Sequence, residues 1–230
     1  MQISGAIALV TGANRGIGRE FAAQLIERGA TKVYAAARRP ESIDVPGVVP
    51  LRLDITDPDS IAAAASTAND VTLLINNAGI STGANLISGD LDTIRREMDT
   101  NFWGTLGMIR AFAPQLAGGA VLNVLSALSW FAYDGAGAYG AAKAATWNLT
   151  NGVRLELAAQ QTLVTGLHLG AADTDMMADY QGPKIAPADV VKAALDGIEA
   201  GKLEVVADEW SAHVKASLAK DPSEFYTQLA

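Results

Sequence analysis

The sequence predicts a doubly wound α/β domain, a parallel sheet of about seven strands covered by helices on both faces. Three observations lead there. Strand-length apolar runs alternate with helix-length segments along the chain. Most of those runs are apolar throughout, which suits strands buried on both faces. A glycine-rich turn joins the first run directly to the first helical pattern.

Taken in order, Ile7–Val10 reads as the first strand and Gly16–Arg28 as the helix behind it, closed by Gly29. Lys32–Ala36 and Val49–Leu53 are the next strands. Asp57 then supplies an N-cap, and Pro58 the first residue, for a helix over Pro58–Ala68. Val71–Ile75 is a fourth strand, Leu91–Leu116 a long helix, and Ala120–Leu125 a fifth strand. Ala138–Gln160 reads as helix and Leu163–Leu169 as strand; Pro187 opens a helix over Ala188–Gly201. Leu203–Val206 is the last strand, followed by a helix from about Glu209 to Lys220. Repeated strand–helix–strand units imply right-handed crossovers within one sheet. No repeat, low-complexity tract or linker divides the chain, so one domain over residues 1–230 is expected. Ala171–Lys184, the least patterned segment, is expected to be a mobile loop over a site.

Composition narrows the function. A chain of 230 residues buries roughly 70–75% of its unfolded surface on folding, so its core needs no covalent staple. There is no cysteine, which removes disulfides, thiol nucleophiles and thiolate metal sites, and no metal is expected. A formal charge of −8 and a pI near 4.7 argue against nucleic acid or an anionic membrane as partner. No apolar run is long enough to span a bilayer, and the first residues read as strand instead of signal peptide. A soluble cytoplasmic enzyme acting on a small molecule is the expectation.

The first strand runs into Thr11-Gly12-Ala13-Asn14-Arg15-Gly16-Ile17-Gly18, and a helical pattern begins at once. Glycines at 12, 16 and 18 permit a tight turn, close approach of backbone to a pyrophosphate, and close helix–strand contact. A glycine-rich turn without a ligand is the plain alternative, weakened by the strand before it and the helix after it. The spacing is that of neither the Gly-x-Gly-x-x-Gly turn nor a Walker loop.

TGANRGIG resembles the cofactor turn of the short-chain dehydrogenases/reductases, Asn76-Asn77-Ala78-Gly79 resembles their Asn-Asn-Ala-Gly segment, and Tyr139-Gly140-Ala141-Ala142-Lys143 their Tyr-x-x-x-Lys. The three occur in order, and the resemblance spans roughly Ile7 to Met176. It implies a Rossmann-type fold, an oxidoreductase, and contacts to the dinucleotide from Gly12, Asn14, Arg15, Gly16, Ile17, Gly18, Asn77, Ala78 and Gly79.

Carbonyl reduction needs a hydride at carbon and a proton at oxygen. A tyrosine hydroxyl can deliver that proton, and a neighbouring ammonium favours the phenolate that takes it back. Tyr139 and Lys143 stand four apart at a predicted helix start, on one face. By resemblance, Ser126, thirteen residues before Tyr139, holds the substrate oxygen; Ser129 competes for that role and stands where the family usually has glycine. Asn101, in Asp99-Thr100-Asn101, matches the family's helix asparagine that binds a water linked to the lysine; alone, it would be read as a packing feature. Lys143 would also hold the nicotinamide ribose. Thr174 falls in a segment resembling the family's Pro-Gly-x-x-x-Thr, with Leu169 in place of the proline, and would contact the nicotinamide side.

At the end of the second strand, an acidic residue would select NAD by binding the ribose hydroxyls. Ala37 occupies that place, followed by Arg38 and Arg39, and Arg15 can approach from the glycine turn. Guanidinium groups there suit a 2′-phosphate, so the expected cofactor is NADP(H). Asp54, with Ile55 beside it, resembles the residue that meets the adenine amino group. Ile80–Leu86, Ala127–Tyr133 and Ala171–Tyr180 should line the substrate end, contributing Trp130, Phe131, Tyr133, Met176, Met177 and Tyr180 and favouring an apolar ketone, aldehyde or alcohol. By resemblance the two long helices pack against a second subunit, implying a homodimer or homotetramer. Two rivals are weighed: a catalytically silent NADP(H)-binding redox sensor, and a nucleotide-sugar epimerase or dehydratase. The second lacks room for a substrate domain after Met176.

Overall fold

Side chains point alternately to opposite faces along a strand, so a strand that is apolar throughout feeds two cores at once. The computed structural model, which describes residues 1–226, has this arrangement. The strands are β1 (Ile7–Thr11), β2 (Lys32–Ala37), β3 (Val49–Arg52), β4 (Leu73–Asn76), β5 (Ala120–Val124), β6 (Leu163–His168) and β7 (Glu204–Val206). All pair in parallel in the order β3-β2-β1-β4-β5-β6-β7. Ala8 and Val10 of β1 pack into one core with Phe21, Leu25, Val190 and Ile198; Leu9 packs into the other with Ile61, Met108, Phe112 and Val153.

The helices close those two layers. On one face lie α1 (Gly16–Glu27) and α6 (Pro187–Glu199); on the other, α2 (Pro58–Thr67), α3 (Leu91–Met98), α4 (Thr105–Phe112) and α5 (Gly137–Glu156). Asp57 caps α2 by accepting from the Asp59 amide, and Gly29 takes the left-handed conformation just past α1 at φ 81°. Two short helices, α7 (Glu209–Ser217) and α8 (Pro222–Phe225), follow β7. Strand order reverses between β1 and β4, and the crevice at such a switch point is where α/β sheets bind ligands.

Three local expectations change. The long helix expected over Leu91–Leu116 is α3 and α4 joined through a π-turn at Asp99–Gly104, and it tightens into a 3-10 turn at Ala113–Gln115, where Pro114 leaves no amide to donate. The segment Ala171–Lys184 is anchored: Asp173 donates its amide to the Ile185 carbonyl and Ile185 donates to that of Ala171. The final helix stops at Ser217, and Pro222 starts a separate turn. The last four residues of the expected 1–230 domain lie outside the described residues.

Candidate active site

The glycine turn is built for close approach. Gly12 and Gly16 adopt positive φ, 66° and 52°, and a Cβ at Gly18 would fall 2.2 Å from the Gly12 carbonyl oxygen. Arg15 stands at the N-cap of α1 without a side-chain cap, which leaves the first-turn amides available to an anion. Just past β4, the Asn77 side chain donates to the carbonyls of Thr11 and Gly12 at 2.9 and 3.2 Å. The Thr11 hydroxyl accepts from the amides of Asn77 and Ala78 at 3.0 and 2.9 Å. A cradle of backbone, with no room for side chains, fits the pyrophosphate of a dinucleotide. Thr11 carries no role in the sequence reading, although it opens the glycine motif. Its hydroxyl joins the two switch-point strands, a contact between residues more than sixty apart in sequence.

At the adenosine end, Arg38 and Arg39 follow the last residue of β2, are exposed, and make no ion pair among the described residues. Burial pushes the Asp54 carboxyl up, but hydrogen bonds from the Thr56 amide and hydroxyl, with the Arg38 charge, hold it below its ordinary value. Asp54, Ile55 and Arg38 thus border one region. Arg15 is engaged elsewhere: its guanidinium meets Asp175 at 3.3 Å, tying the glycine turn to the segment after β6. Both partners are exposed, and such a pair is worth under about 1 kcal/mol, so a phosphate can replace it. Thr174 reaches the same turn, its Cγ2 lying 3.1 Å from where a Gly16 Cβ would be.

The four residues expected to act on substrate come together at the carboxyl ends of β4 and β5. Ser126 caps a short 3-10 turn after β5, and its hydroxyl oxygen accepts from the Leu128 amide at 3.1 Å. Ser129, its competitor, is turned inward and accepts from the Ser126 amide at 3.3 Å. Its hydroxyl is committed to holding Ser126. Tyr139 and Lys143 stand one turn apart at the start of α5, with the Lys143 ammonium 5.6 Å from the Tyr139 ring centroid. Asn101 lies in the π-turn, where its side chain accepts from the Ile80 amide at 3.2 Å and donates to the Ile80 carbonyl at 2.9 Å. Its own carbonyl accepts from the Thr105 and Thr146 hydroxyls. Gly79 lets these groups meet: a Cβ there would sit 2.6 Å from Asn101 Oδ1 and 3.7 Å from Lys143 Nζ.

Burial pushes the hydroxyl of Tyr139, whose side chain is half-buried, up to about 12; the Glu97 charge adds to that, and the Ser126 hydrogen bond opposes it. Lys143 is itself buried, which brings its ammonium down to about 8, and it donates to the Val124 carbonyl at 2.8 Å. One of its three N–H groups is held on the backbone of β5, which leaves two for other acceptors.

The substrate end is narrower in aromatic groups than expected. Trp130 stacks on the buried His168 ring at 3.7 Å, and Phe131 packs against Trp210, Phe225 and Tyr226. Tyr133, Met176 and Tyr180 remain exposed, and Met177 is half-buried. A groove of about 700 Å³ lined by Ile55, Pro58, Ile61, Trp103, Gly107 and Arg110 runs along α2 and α4, apart from Ser126, Tyr139 and Lys143.

His168 is a second group absent from the sequence reading. Its Nδ1 is 3.1 Å from the Ser126 carbonyl, the tautomer with hydrogen on Nδ1 making it a donor. Burial lowers its pKa to about 4, whereas an unfolded histidine titrates near 6.5. The unfolded chain therefore takes up the proton first. Stability on this account is full above pH 6.5 and declines as pH falls toward 4, by about 3 kcal/mol in total. Urea denaturation at stepped pH should show that slope, reduced in His168→Phe; an equal slope in the variant contradicts it.

The geometry defines a dinucleotide-binding α/β protein whose carboxyl edge gathers a serine, a tyrosine, a lysine and an asparagine beside a phosphate cradle. The chain belongs to the short chain dehydrogenase family of oxidoreductases: the family profile described as short chain dehydrogenase matches residues 6–184. A short chain dehydrogenase from Burkholderia cenocepacia, solved in complex with NADP, is 42% identical, covering 100% of this chain and 99% of that one, with a TM-score of 0.95. The NADPH-dependent 1-acyldihydroxyacetone phosphate reductase of Schizosaccharomyces pombe is 35% identical over 76% of this chain, and the match spans 62% of that enzyme's length. The 3-oxoacyl-(acyl-carrier-protein) reductase FabG of Vibrio harveyi is 32% identical, over 88% of this chain and 86% of that one. The expectation of NADP(H) agrees with the first two.

Proposed function

We propose that this chain, as a single domain over residues 1–230, is a cytoplasmic NADP(H)-dependent oxidoreductase that interconverts an apolar carbonyl compound and its alcohol. The observation that carries the reading is the convergence of Ser126, Tyr139, Lys143 and Asn101 beside the glycine cradle at the sheet's switch point. Gly12, Asn14, Arg15, Gly16, Ile17 and Gly18 would hold the pyrophosphate, Arg38 the 2′-phosphate, and Asp54 and Ile55 the adenine. Asn77, Ala78 and Gly79 would wall the nicotinamide half, with Lys143 on its ribose and Thr174 beside the ring. When bound, the nicotinamide supplies or takes up the hydride.

The chain's own groups handle the proton. Because the Ser126 oxygen already accepts a backbone amide, its hydrogen is left to donate to the substrate oxygen. Tyr139, raised to about 12, is protonated at neutral pH, the state that gives a proton to the oxygen as negative charge develops there. Leu86, Tyr133, Met176 and Tyr180, all exposed, give the mouth its apolar character. A homodimer or homotetramer is part of the same reading, with Trp103 and Leu155, 58% and 79% exposed, as apolar groups on the helices that would meet. Among the described residues no helix is long and apolar enough to cross a membrane.

The test is turnover. NADPH oxidation should be seen with members of a panel of ketones, aldehydes, quinones and steroids, with kcat/KM higher for NADPH than for NADH. Tight NADPH binding without turnover across the panel, and without NADP reduction by alcohols, would favour the redox sensor; equal or better use of NADH would remove the assignment of NADP(H).

A further inference from the structure

Glu97 is the only buried carboxylate among the described residues, with no exposed surface. It lies one helical turn before Asn101, and the two side chains hold consecutive points of the same strand of loop. Glu97 Oε1 accepts from the Thr82 amide at 2.6 Å and from the Thr82 hydroxyl. Asn101 grips Ile80 through both its amide and its carbonyl. The segment they hold runs from the cofactor wall at Asn77–Gly79 into Ile80–Leu86 at the substrate end. The second carboxylate oxygen, Oε2, is enclosed and has no hydrogen-bond partner. Buried polar oxygens are nearly always satisfied, so a carboxylate held with one oxygen orphaned is out of place as a mere packing element.

The ionisable surroundings are few. The Ile80–Leu86 segment carries none, and α5, packed against α3, brings Tyr139 and Lys143 at its start, with Arg154 and Glu156 at its far end. On the helix that bears Glu97, Asp92, Arg95, Arg96 and Asp99 are all exposed, and Arg95 is paired with Asp92. No cation pairs with Glu97 among the described residues.

We propose that Glu97 is a positioning residue for the reaction set out above: it fixes Thr82, and with it the wall of the substrate end, and from α3, packed against α5, its carboxylate acts on Tyr139. The inference rests on that reading of Tyr139 as the proton donor. The upward push of the Glu97 charge on the Tyr139 hydroxyl supports it. Charge and clamp separate by substitution. Glu97→Gln keeps a carbonyl oxygen for Thr82 and removes the charge, whereas Glu97→Ala removes both.

The test uses the NADPH-loaded protein. In Glu97→Gln, the pH limb of alcohol oxidation that reports Tyr139 ionisation should move to lower pH by roughly half to one unit, the reach of one nearby charge. Amide exchange at Thr82 should stay as in the wild type. In Glu97→Ala, exchange across residues 80–86 should accelerate, and KM should rise about tenfold, as expected for losing hydrogen bonds to a charged group. An unmoved limb in Glu97→Gln overturns the charge role, and unchanged exchange in Glu97→Ala overturns the clamp. If no substrate turns over, the ultraviolet titration of Tyr139, taken as wild type minus Tyr139→Phe, replaces the kinetic limb. That outcome would count against the proposed reaction while leaving Glu97 decided. Glu97→Ala failing to fold leaves the Gln variant to carry the test.

Discussion

Tyr139→Phe is expected to fold, to bind NADPH with a dissociation constant within a few-fold of the wild type, and to lose turnover by about 10²–10⁴-fold, the usual worth of a positioned acid/base group. The ring is half-buried at the start of α5, and phenylalanine keeps its shape while removing only the hydroxyl. Neighbouring groups do not replace the lost proton. Lys143 Nζ is held on the Val124 carbonyl, and the Ser126 hydroxyl, an aliphatic alcohol, can donate a hydrogen bond but is too weak an acid to give up its proton. The loss should fall on kcat and kcat/KM together, the sign of an interaction made in the transition state. Steady-state kinetics with calorimetric titration of NADPH check both halves. Turnover within a few-fold of wild type contradicts the role given to Tyr139.

The second large effect is at Arg38. Arg38→Asp should lower kcat/KM for NADPH by about 10–100-fold, as losing one charge-assisted hydrogen bond of roughly 1.5–3 kcal/mol implies. Repulsion between the new carboxylate and the 2′-phosphate adds to that loss. The same carboxylate can accept from the free ribose hydroxyls of NADH, so NADH use should rise and the preference invert. Asp54 makes the site sensitive to the swap, because the Arg38 charge is one of the influences that hold its carboxyl ionised. A ratio of NADPH to NADH efficiency unchanged by the substitution would assign the phosphate to another group, with Arg15 or Arg39 the first to examine.

The sheet was legible because its signal is local. Most strands between Ile7 and Val206 are short apolar runs between turn residues, and caps such as Asp57-Pro58 and Gly29 mark helix ends without reference to distant parts of the chain. The π-turn was not legible. Asp99–Gly104 has no residue that forbids an ordinary helix, and the turn is held by tertiary partners, with Asn101 bonded to Ile80 and Thr146. The glycine turn and the Tyr139–Lys143 pair could be read because one turn of backbone or helix brings their members together. Glu97, Thr11 and His168 escaped notice for the opposite reason. Each works through a partner 15 to 66 residues away, and a lone buried acid, hydroxyl or imidazole leaves no periodic trace. The expected aromatic pocket failed similarly. Trp130 and Phe131 follow Ser126 closely, yet His168 and the residues of α7 and α8 draw their rings into packing.

Hydride transfer from the nicotinamide to the carbonyl carbon is tested by following the hydrogen itself. The wild-type protein is incubated with NADPH deuterated at C4 on the transferred face and with a carbonyl compound that supports NADPH oxidation. Product is then analysed by mass spectrometry and NMR. The expected result is one deuterium on the carbinol carbon, with none exchanged into solvent and its rate of appearance cut in proportion in Tyr139→Phe. NADPH consumed with deuterium absent from the carbinol would contradict hydride transfer, and product formed equally by Tyr139→Phe would contradict Tyr139 as the proton donor.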